Sequence, residues 1–458
     1  MAKKKQIELT IEEKLQNALV PKEEQPYKIP NNWCWVRLGN ITQIKGGKRI
    51  PKGTSLLKEN TGYKYIRVTD MKNGTVLNDD IHYISKDIYN KISNYTISKN
   101  DIYITCAGTI GRVGIIPVEF DGANLTENAD KIIIKHINKN LLVKVLSSYI
   151  VQKQIQEVIT TGCQPKLAIK KIEQLKIPLP PINEQQRIVE RIESLFAKLD
   201  RAKELIENTL AQFEQNKMAI LHKAFTGELT AKWRKENNID LSSWQEKTID
   251  ELCTSLKYGT SKKSNPEGSV VVLRMGNLQN GEIDWSNLMY TDDKDDIEKY
   301  LLKKGDVLFN RTNSPELVGK TSIYRGEYPA IYAGYLIKLD YGKDIIGEYL
   351  NYIMNSTKAK HYCYTVKTDG VSQSNINAKK IGAFEIPVPT IEEQQEIVNI
   401  LDKLLAKYNK IKNLEQQLEK IELLKKAILA KAFRGELGTN NPDEESAENL
   451  LKEILAEK

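Results

Sequence analysis

Two stretches of this chain read almost alike. Residues 177–189 are IPLPPINEQQRIV and residues 386–398 are IPVPTIEEQQEIV, an offset of 209. Each leads to a second shared stretch. Ala219-Ile220-Leu221-His222-Lys223-Ala224-Phe225-Thr226-Gly227-Glu228-Leu229 is matched by Ala427-Ile428-Leu429-Ala430-Lys431-Ala432-Phe433-Arg434-Gly435-Glu436-Leu437. Upstream the likeness is weaker but keeps its order. Trp33, Leu38 and Ile41 correspond to Trp244, Ile249 and Leu252. Ile66-Arg67-Val68 and Asn73-Gly74 correspond to Leu273-Arg274-Met275 and Asn280-Gly281, and Lys99-Asn100-Asp101-Ile102 to Lys304-Gly305-Asp306-Val307. A chain of 458 residues exceeds one ordinary core, and a period of about 200 residues is far beyond a solenoid repeat. The chain is a duplicated domain.

The shared stretches carry a helical seam. Ile188, Ile192, Leu195, Leu199 and Ala202 step by four, three, four, three, and Ile397, Leu401, Leu404, Tyr408 and Ile411 repeat the steps. Leu210, Phe213 and Ile220 then match Leu418, Ile421 and Ile428 at an offset of 208, so one residue is lost after Ile411. Each ladder runs for about 36 residues, about 54 Å of helix. With charged residues on the other faces, this predicts two long helices pairing as an antiparallel coiled coil. Pro178, Pro180 and Pro181, with Pro387 and Pro389 in the second copy, are expected to stop a strand and stiffen the exit. Asn183 is the expected cap, Glu184 faces the positive helix end, and Gly227 and Gly435 supply the stops.

The predicted fold class is mixed α/β: two tandem globular domains and two long helices with an internal pseudo-twofold repeat. The expected segments are an N-terminal helical piece at 1–27, a globular domain at 28–181 and a long helix at 182–236. A second domain at 237–390, a helix at 391–437 and an acidic tail at 438–458 follow. Thr10 and Glu13 form a capping box. Short β-rich runs at 63–68 and 131–134 alternate with turns, and helical stretches at 141–159 and 346–364 precede the prolines.

Catalytic chemistry is hard to find. The five cysteines are scattered without a CxxC pair and the four histidines lie far apart, which argues against disulfides and a metal site. Ser314 to Thr321 imitates a P-loop but has Ser314 where the first glycine belongs. No Gly-x-Gly-x-x-Gly fingerprint, Asn-Pro-Pro-aromatic motif or nucleophile–base spacing occurs. No apolar run approaches the roughly 20 residues of a membrane span, and the basic N-terminus lacks a signal peptide's apolar core, so a cytoplasmic protein is expected.

Positive and amide side chains recur instead in matching loops, under a net charge of +8. Lys45, Lys48, Arg49 and Lys52 follow the first strand, with Lys257, Lys262 and Lys263 in the same place in the second copy. Arg67 and Arg274 each follow a strand. Thr109 and Arg112 correspond to Asn310, Arg311, Asn313 and Lys320, and Gln164 to Gln373 and Asn375. Such residues on loops are what DNA phosphates and base edges require.

Taken together, the chain resembles the specificity (S) subunit of type I restriction–modification systems along essentially its whole length. The resemblance rests on ALVPKEEQPYKIPNNWCWVRLGNI, both IPxPxIxEQQxIV segments, both KAFxGEL helix ends and Thr230-Ala231-Lys232-Trp233-Arg234. It implies a non-catalytic subunit in which each globular domain reads half of a split site on double-stranded DNA. Two methyltransferase subunits and restriction (translocase–nuclease) subunits are the implied partners in a bacterial or archaeal cell. S-adenosylmethionine would bind the methyltransferase, and ATP and Mg the restriction partner, with no cofactor in this chain. Glu184, Gln185, Gln186 and Phe225, with Glu393, Gln394, Gln395 and Phe433, are the residues expected to meet the methyltransferases. The second domain departs most, lacking a clear counterpart to Gly46-Gly47 and inserting residues around Ser314-Pro315-Glu316. A stand-alone repressor, a self-contained modification enzyme and a targeting subunit of another phage-defence methylation system are the rival readings. If the helices set the half-site spacing, seven residues added to both should lengthen the preferred spacer by about three base pairs. That insertion also rotates one half-site by about 100°, so methylation should fall. Selection from a spacer library checks this, and an unchanged spacer in the folded, extended protein contradicts it.

Overall fold

The computed structural model describes residues 10–159, 165–409 and 412–457, with the side chains of 407–409 and 412–413 left aside. The chain divides into two compact units, Met1–Leu205 with Gln417–Lys458, and Ile206–Gln416. The division runs through both long helices rather than leaving them as segments of their own. The reason is the apolar seam. Ile188, Val189 and Ile192 share one core with Trp33, Val36, Ile177, Ala432 and Phe433. Ile397, Val398 and Leu401 share another with Ile386, Val388, Leu221 and Ala224.

The two units have matching topology. In the first, strands Thr42–Gly46, Ala129–Ile134, Ile102–Thr105 and Val113–Ile115 form an antiparallel sheet in that order. A second sheet runs His82–Tyr83, Lys64–Ile66, Ala123–Leu125, Thr96–Ile97, with its central pair parallel. In the second unit, Cys253–Tyr258, Leu336–Tyr341, Val307–Asn310 and Thr321–Ile323 repeat the first arrangement. Tyr290–Thr291, Val270–Leu273 and Ala330–Tyr332 repeat the other, the last two again parallel. Each helical stretch before the prolines is two helices, Lys139–Leu146 and Tyr149–Val158, then Gly347–Met354 and Thr357–Val366. The break falls at a serine in both copies, and Ser356 caps its helix by accepting from the Ala359 N–H. The Thr10–Glu13 capping box opens the helix Ile11–Ala18.

The strands end just before Pro180 and Pro389, as expected, but Pro178 and Pro387 lie inside them. Lys176–Leu179 pairs antiparallel with Cys34–Arg37, setting Pro178 opposite Trp35, and Glu385–Val388 pairs with Gln245–Thr248, setting Pro387 opposite Glu246. Both sheets have two strands, so every strand is an edge, and a missing N–H on the outer side costs no ladder bond. Asn183 is not the cap either. The first helix spans Ile182–Phe225, so Asn183 lies inside its first turn, and the Pro181 carbonyl accepts from the Glu184 and Gln185 N–H groups. In the second copy Thr390 does this work, its carbonyl accepting from Gln394 N–H at 2.8 Å and its hydroxyl from Glu393 N–H at 3.4 Å. Gly227 and Gly435 do terminate the helices, with φ of +81° and +76°. Around Gly435 the amide of Glu436 reaches back to Lys431 O and that of Gly435 to Ala432 O, a Schellman turn.

The helices run antiparallel. In the first unit Lys203 pairs with Glu422 at 3.5 Å and Asp200 with Lys425 at 2.5 Å, so rising numbers meet falling ones. In the second unit the end of the first helix (Leu221, Ala224) packs with the start of the second (Ile397, Leu401). The second helix is described as Ile391–Asn409 and Lys412–Ala432. Ile411 and the side chain of Tyr408 lie outside the described residues.

Each helix start is tied to its domain by a buried carboxylate. Glu184 accepts from Trp33 Nε1 at 2.7 Å, Thr439 Oγ1 at 2.9 Å and Asn440 Nδ2 at 2.9 Å. Glu393 accepts from Trp244 Nε1 at 2.9 Å, Thr230 Oγ1 at 2.6 Å and Arg234 Nη1 at 2.6 Å. The neighbouring glutamines repeat the pattern. Gln185 accepts from Asn138 N–H and donates to Pro180 O, and Gln394 accepts from Ile346 N–H and donates to Pro389 O. All four side chains are 0% exposed, and Phe433 is buried. This corrects the sequence reading, because groups spent on internal bonds cannot form a docking face. Gln186 and Gln395 are exposed, and Phe225 is half-buried against the Tyr349 ring. Glu393→Gln leaves the buried Arg234 without a counter-charge and should cost about 3–5 kcal/mol. Glu184→Gln faces only neutral donors and should cost about 1–3 kcal/mol. Urea denaturation of the full chain checks the order, and an equal or larger loss at Glu184 contradicts it.

Candidate nucleic-acid interface

Strand register brings the positively charged loops to one end of each unit. Gly46 pairs with Asp130 and Thr105 with Ala129, so the strands ending at Gly46 and Thr105 and the one starting at Ala129 share an edge. The second sheet joins there, through Lys48 N–H to Leu125 O and Thr126 N–H to Ile66 O. In the second unit Tyr258 pairs with Ile337 and Asn310 with Leu336. Thr260 N–H reaches Tyr332 O, and Ala333 N–H reaches Leu273 O. These bonds also supply a counterpart that the sequence comparison lacks. A Cβ on Gly47 would stand 2.0 Å from Thr126 O, and one on Gly259 2.1 Å from Tyr332 O. Gly259 is therefore the structural equivalent of Gly47, since the backbones meet too closely for any side chain.

The remaining loops join the same end. In the first unit Leu167 N–H donates to Cys106 O at 2.9 Å, and Ala107 bridges Lys166. Gln164, with Gly162 and Cys163, lies outside the described residues. In the second, Thr312–Asn313, Ser374–Asn375 and Thr368–Asp369 form a small antiparallel sheet.

The side chains at these loops differ in how free they are. Lys45, Lys48 and Lys52 are exposed and have no carboxylate partner among the described residues, and Lys48 Nζ lies 5.5 Å from the Tyr95 ring centre. Arg49 pairs with Glu127 at 2.6 Å yet remains 76% exposed. Thr109 and Arg112 are exposed, and Arg112 Nη1 reaches Met71 O at 3.4 Å. In the second unit Lys257 pairs with Asp340 at 3.0 Å and Lys262 with Asp293 at 2.7 Å, while Lys263 and Gln373 are exposed. Arg311 stacks 4.9 Å from the Tyr258 ring centre and donates to Asn375 Oδ1 at 3.1 Å, and Asn375 donates to Thr312 Oγ1 at 2.8 Å. This cluster of Tyr258, Arg311, Thr312 and Asn375 joins three loops; Tyr258 carries no sequence signal beyond its place beside Gly259.

Several expected contacts serve the fold instead. Asn310 is 0% exposed, and its Oδ1 accepts from Thr312 N–H. Asn313 Oδ1 accepts from the adjacent Ser314 N–H. Lys320 donates to Gln279 Oε1 at 2.8 Å, and the Gly319 amide beside it is used by Asn310 O, so the P-loop-like run offers no phosphate cradle. Arg67 is clamped. Its Nη2 lies 2.7 Å from Asp70 Oδ1 and 3.1 Å from Asp80 Oδ2, and its Nε donates to Asp70 Oδ2 at 3.1 Å. Lys58 also pairs with Asp80, and these two cations hold the Asp80 carboxyl down at about 2. Behind the same loops burial pushes the Asp130 carboxyl up to about 6, and its Oδ2 has no partner among the described residues. Among the described residues no cluster of side chains fit to hold a metal occurs, and no helix is long and apolar enough to cross a membrane.

Comparison with known proteins names the architecture. Residues 30–212 and 242–423 each match the type I restriction modification DNA specificity domain. The chain is 26% identical to the type I restriction enzyme EcoKI specificity subunit of Escherichia coli (strain K12), over 94% of this chain and 96% of that one. A solved chain from work on complex assembly and conformational transition of the type I R-M system aligns with a TM-score of 0.68 at 20% identity, covering 90% of this chain and all of that one. The HsdS subunit from Thermoanaerobacter tengcongensis aligns with a TM-score of 0.52 at 20% identity, over 90% of this chain and 99% of that one. At such identities the two structures speak for the fold alone. The duplicated family match, which covers most of the sequence, places this chain in the type I restriction–modification DNA specificity family.

Proposed function

We propose that the chain is the DNA-reading component of a type I restriction–modification complex, with each unit reading one half of an asymmetric bipartite site. One observation carries this reading. Two units of matching topology gather their loops at equivalent sheet ends, yet the loops present different chemistry. Lys48 stands where the other copy has Thr260, and Cys106 where it has Arg311. The same scaffold with different donors selects different bases. Catalysis belongs to partners: two methyltransferase subunits carrying S-adenosylmethionine for adenine methylation, and restriction subunits using ATP and Mg. The paired helices fix the half-site spacing, and their duplicated exposed positions, Gln186 and Gln395 among them, offer two equivalent docking places. Replacing residues 240–388 with the same region of a relative should change one half of the methylated motif and leave the other intact. Long-read methylation mapping of the host reads this out. Both halves changed, or neither, contradicts the assignment of one unit to one half-site.

A further inference from the structure

Arg67 and Arg274 occupy the same place in the two units, each following its strand and opening a short turn. Their backbones are held alike. Arg67 N–H donates to Asp70 Oδ2 at 2.8 Å and its Nη2 to Asp80 O at 2.5 Å. Arg274 N–H donates to Asn277 Oδ1 at 2.9 Å and its Nη2 to Asn287 O at 2.8 Å. Asp70 and Asp80 thus correspond to Asn277 and Asn287, all at an offset of 207. Both carboxylates that neutralise Arg67 are amides around Arg274. Asn277 has a structural reason, since its Nδ2 donates to Asp284 O and Ser286 O as a carboxylate could not. Asn287 has none, being exposed with no side-chain hydrogen bond among the described residues. Arg274 accordingly has no ion pair among the described residues, and its Nε is buried without an acceptor.

The location fits a reader. Arg274 follows Val270–Leu273 at the sheet end where Gly259 meets Tyr332, and the next carbonyl, Met275 O, accepts from Asn310 Nδ2 at 3.4 Å. We infer that Arg274 is the specificity-determining cation of the second unit, its guanidinium completed by an electronegative DNA atom, whereas Arg67 is a structural clamp in the first. This rests on the DNA-reading function proposed above. The shared chemistry is an acceptor on DNA, either a guanine edge or a phosphate oxygen, and an uncompensated guanidinium suits both.

The test uses the full chain co-expressed with its methyltransferase partner and a duplex pool with randomised half-sites. The duplex selected by the wild type then serves for affinity measurements. Arg274→Ala should weaken binding roughly 5- to 150-fold. Asn287→Asp, which places a carboxylate where Asp80 stands in the other unit, should weaken it in the same direction. Its single-atom change at an exposed turn spares the fold, which an unchanged melting curve verifies. Asp80→Asn, the reciprocal change, should leave affinity equal or raised. Lost preference at one position of the second half-site identifies a guanine edge, and uniform weakening with a shallower salt slope identifies phosphate; either supports the proposal. Arg274→Ala and Asn287→Asp binding the selected duplex like wild type would overturn the inference alone. A wild-type complex that selects no sequence overturns the function on which it rests.

Discussion

Taking a carboxylate out of water costs several kcal/mol unless donors replace what it loses, and Glu184 and Glu393 are buried completely. Each carboxylate and its donors come from three separate parts of the chain. An indole N–H comes from the edge of the domain's first strand, at Trp33 or Trp244, and the carboxylate itself sits in the first turn of a long helix. The third part follows a helix stop: Thr439 and Asn440 after Gly435, or Thr230 and Arg234 after Gly227. Only when strand, helix and following segment meet is the charge satisfied. The helix dipole adds to this, since the first turn favours an anion. Domain, helix start and the end of the other helix are thereby fixed together in each unit, and the apolar seam of Ile188 and Ile192, or Ile397 and Leu401, buries alongside.

That rigidity gives the loops their use. Reading bases demands side chains held at defined positions, and loops on a stiff frame are where such side chains usually sit. The frame here ends in two tight backbone crossings, at Gly47 and Gly259, that root the loops identically in both units. Beyond those roots the chains diverge. The first unit offers exposed lysines at 45, 48 and 52, while the second presents an arginine stacked on Tyr258 and fixed by Asn375. Similar roots with unlike tips support the proposal of two half-sites of different sequence.

The duplication, the antiparallel helix pair and the glycine stops were legible because they depend on periodicity and on backbone conformations that few residues adopt. The Asn73-Gly74 and Asn280-Gly281 turns show left-handed φ at all four positions, as their residues require. What stayed hidden depends on long-range partners. A repeated Glu-Gln-Gln reads equally well as a surface and as a core, and only the distant indoles decide it. Arg67 looked available because Asp80 lies thirteen residues on, brought back by the pairing of Tyr65 with His82. Gly259 escaped notice because its neighbours share nothing with Lys48 and Arg49. The strand prolines misled for a local reason: the rule against proline holds for ladders with partners on both sides, and these sheets have two strands.

Hydrogen–deuterium exchange of the methyltransferase-bound chain on its selected duplex, repeated with either half-site scrambled, tests the central claim most directly. The account predicts that scrambling one half-site removes protection from the loops at 46–52 and 106–112 only, and scrambling the other from those at 257–263, 274–277, 311–314 and 368–375 only. The helix starts at 182–189 and 391–398 should exchange alike on all three duplexes. If either scrambled half-site erases protection in both units together, the two units do not read separate halves and the account is wrong.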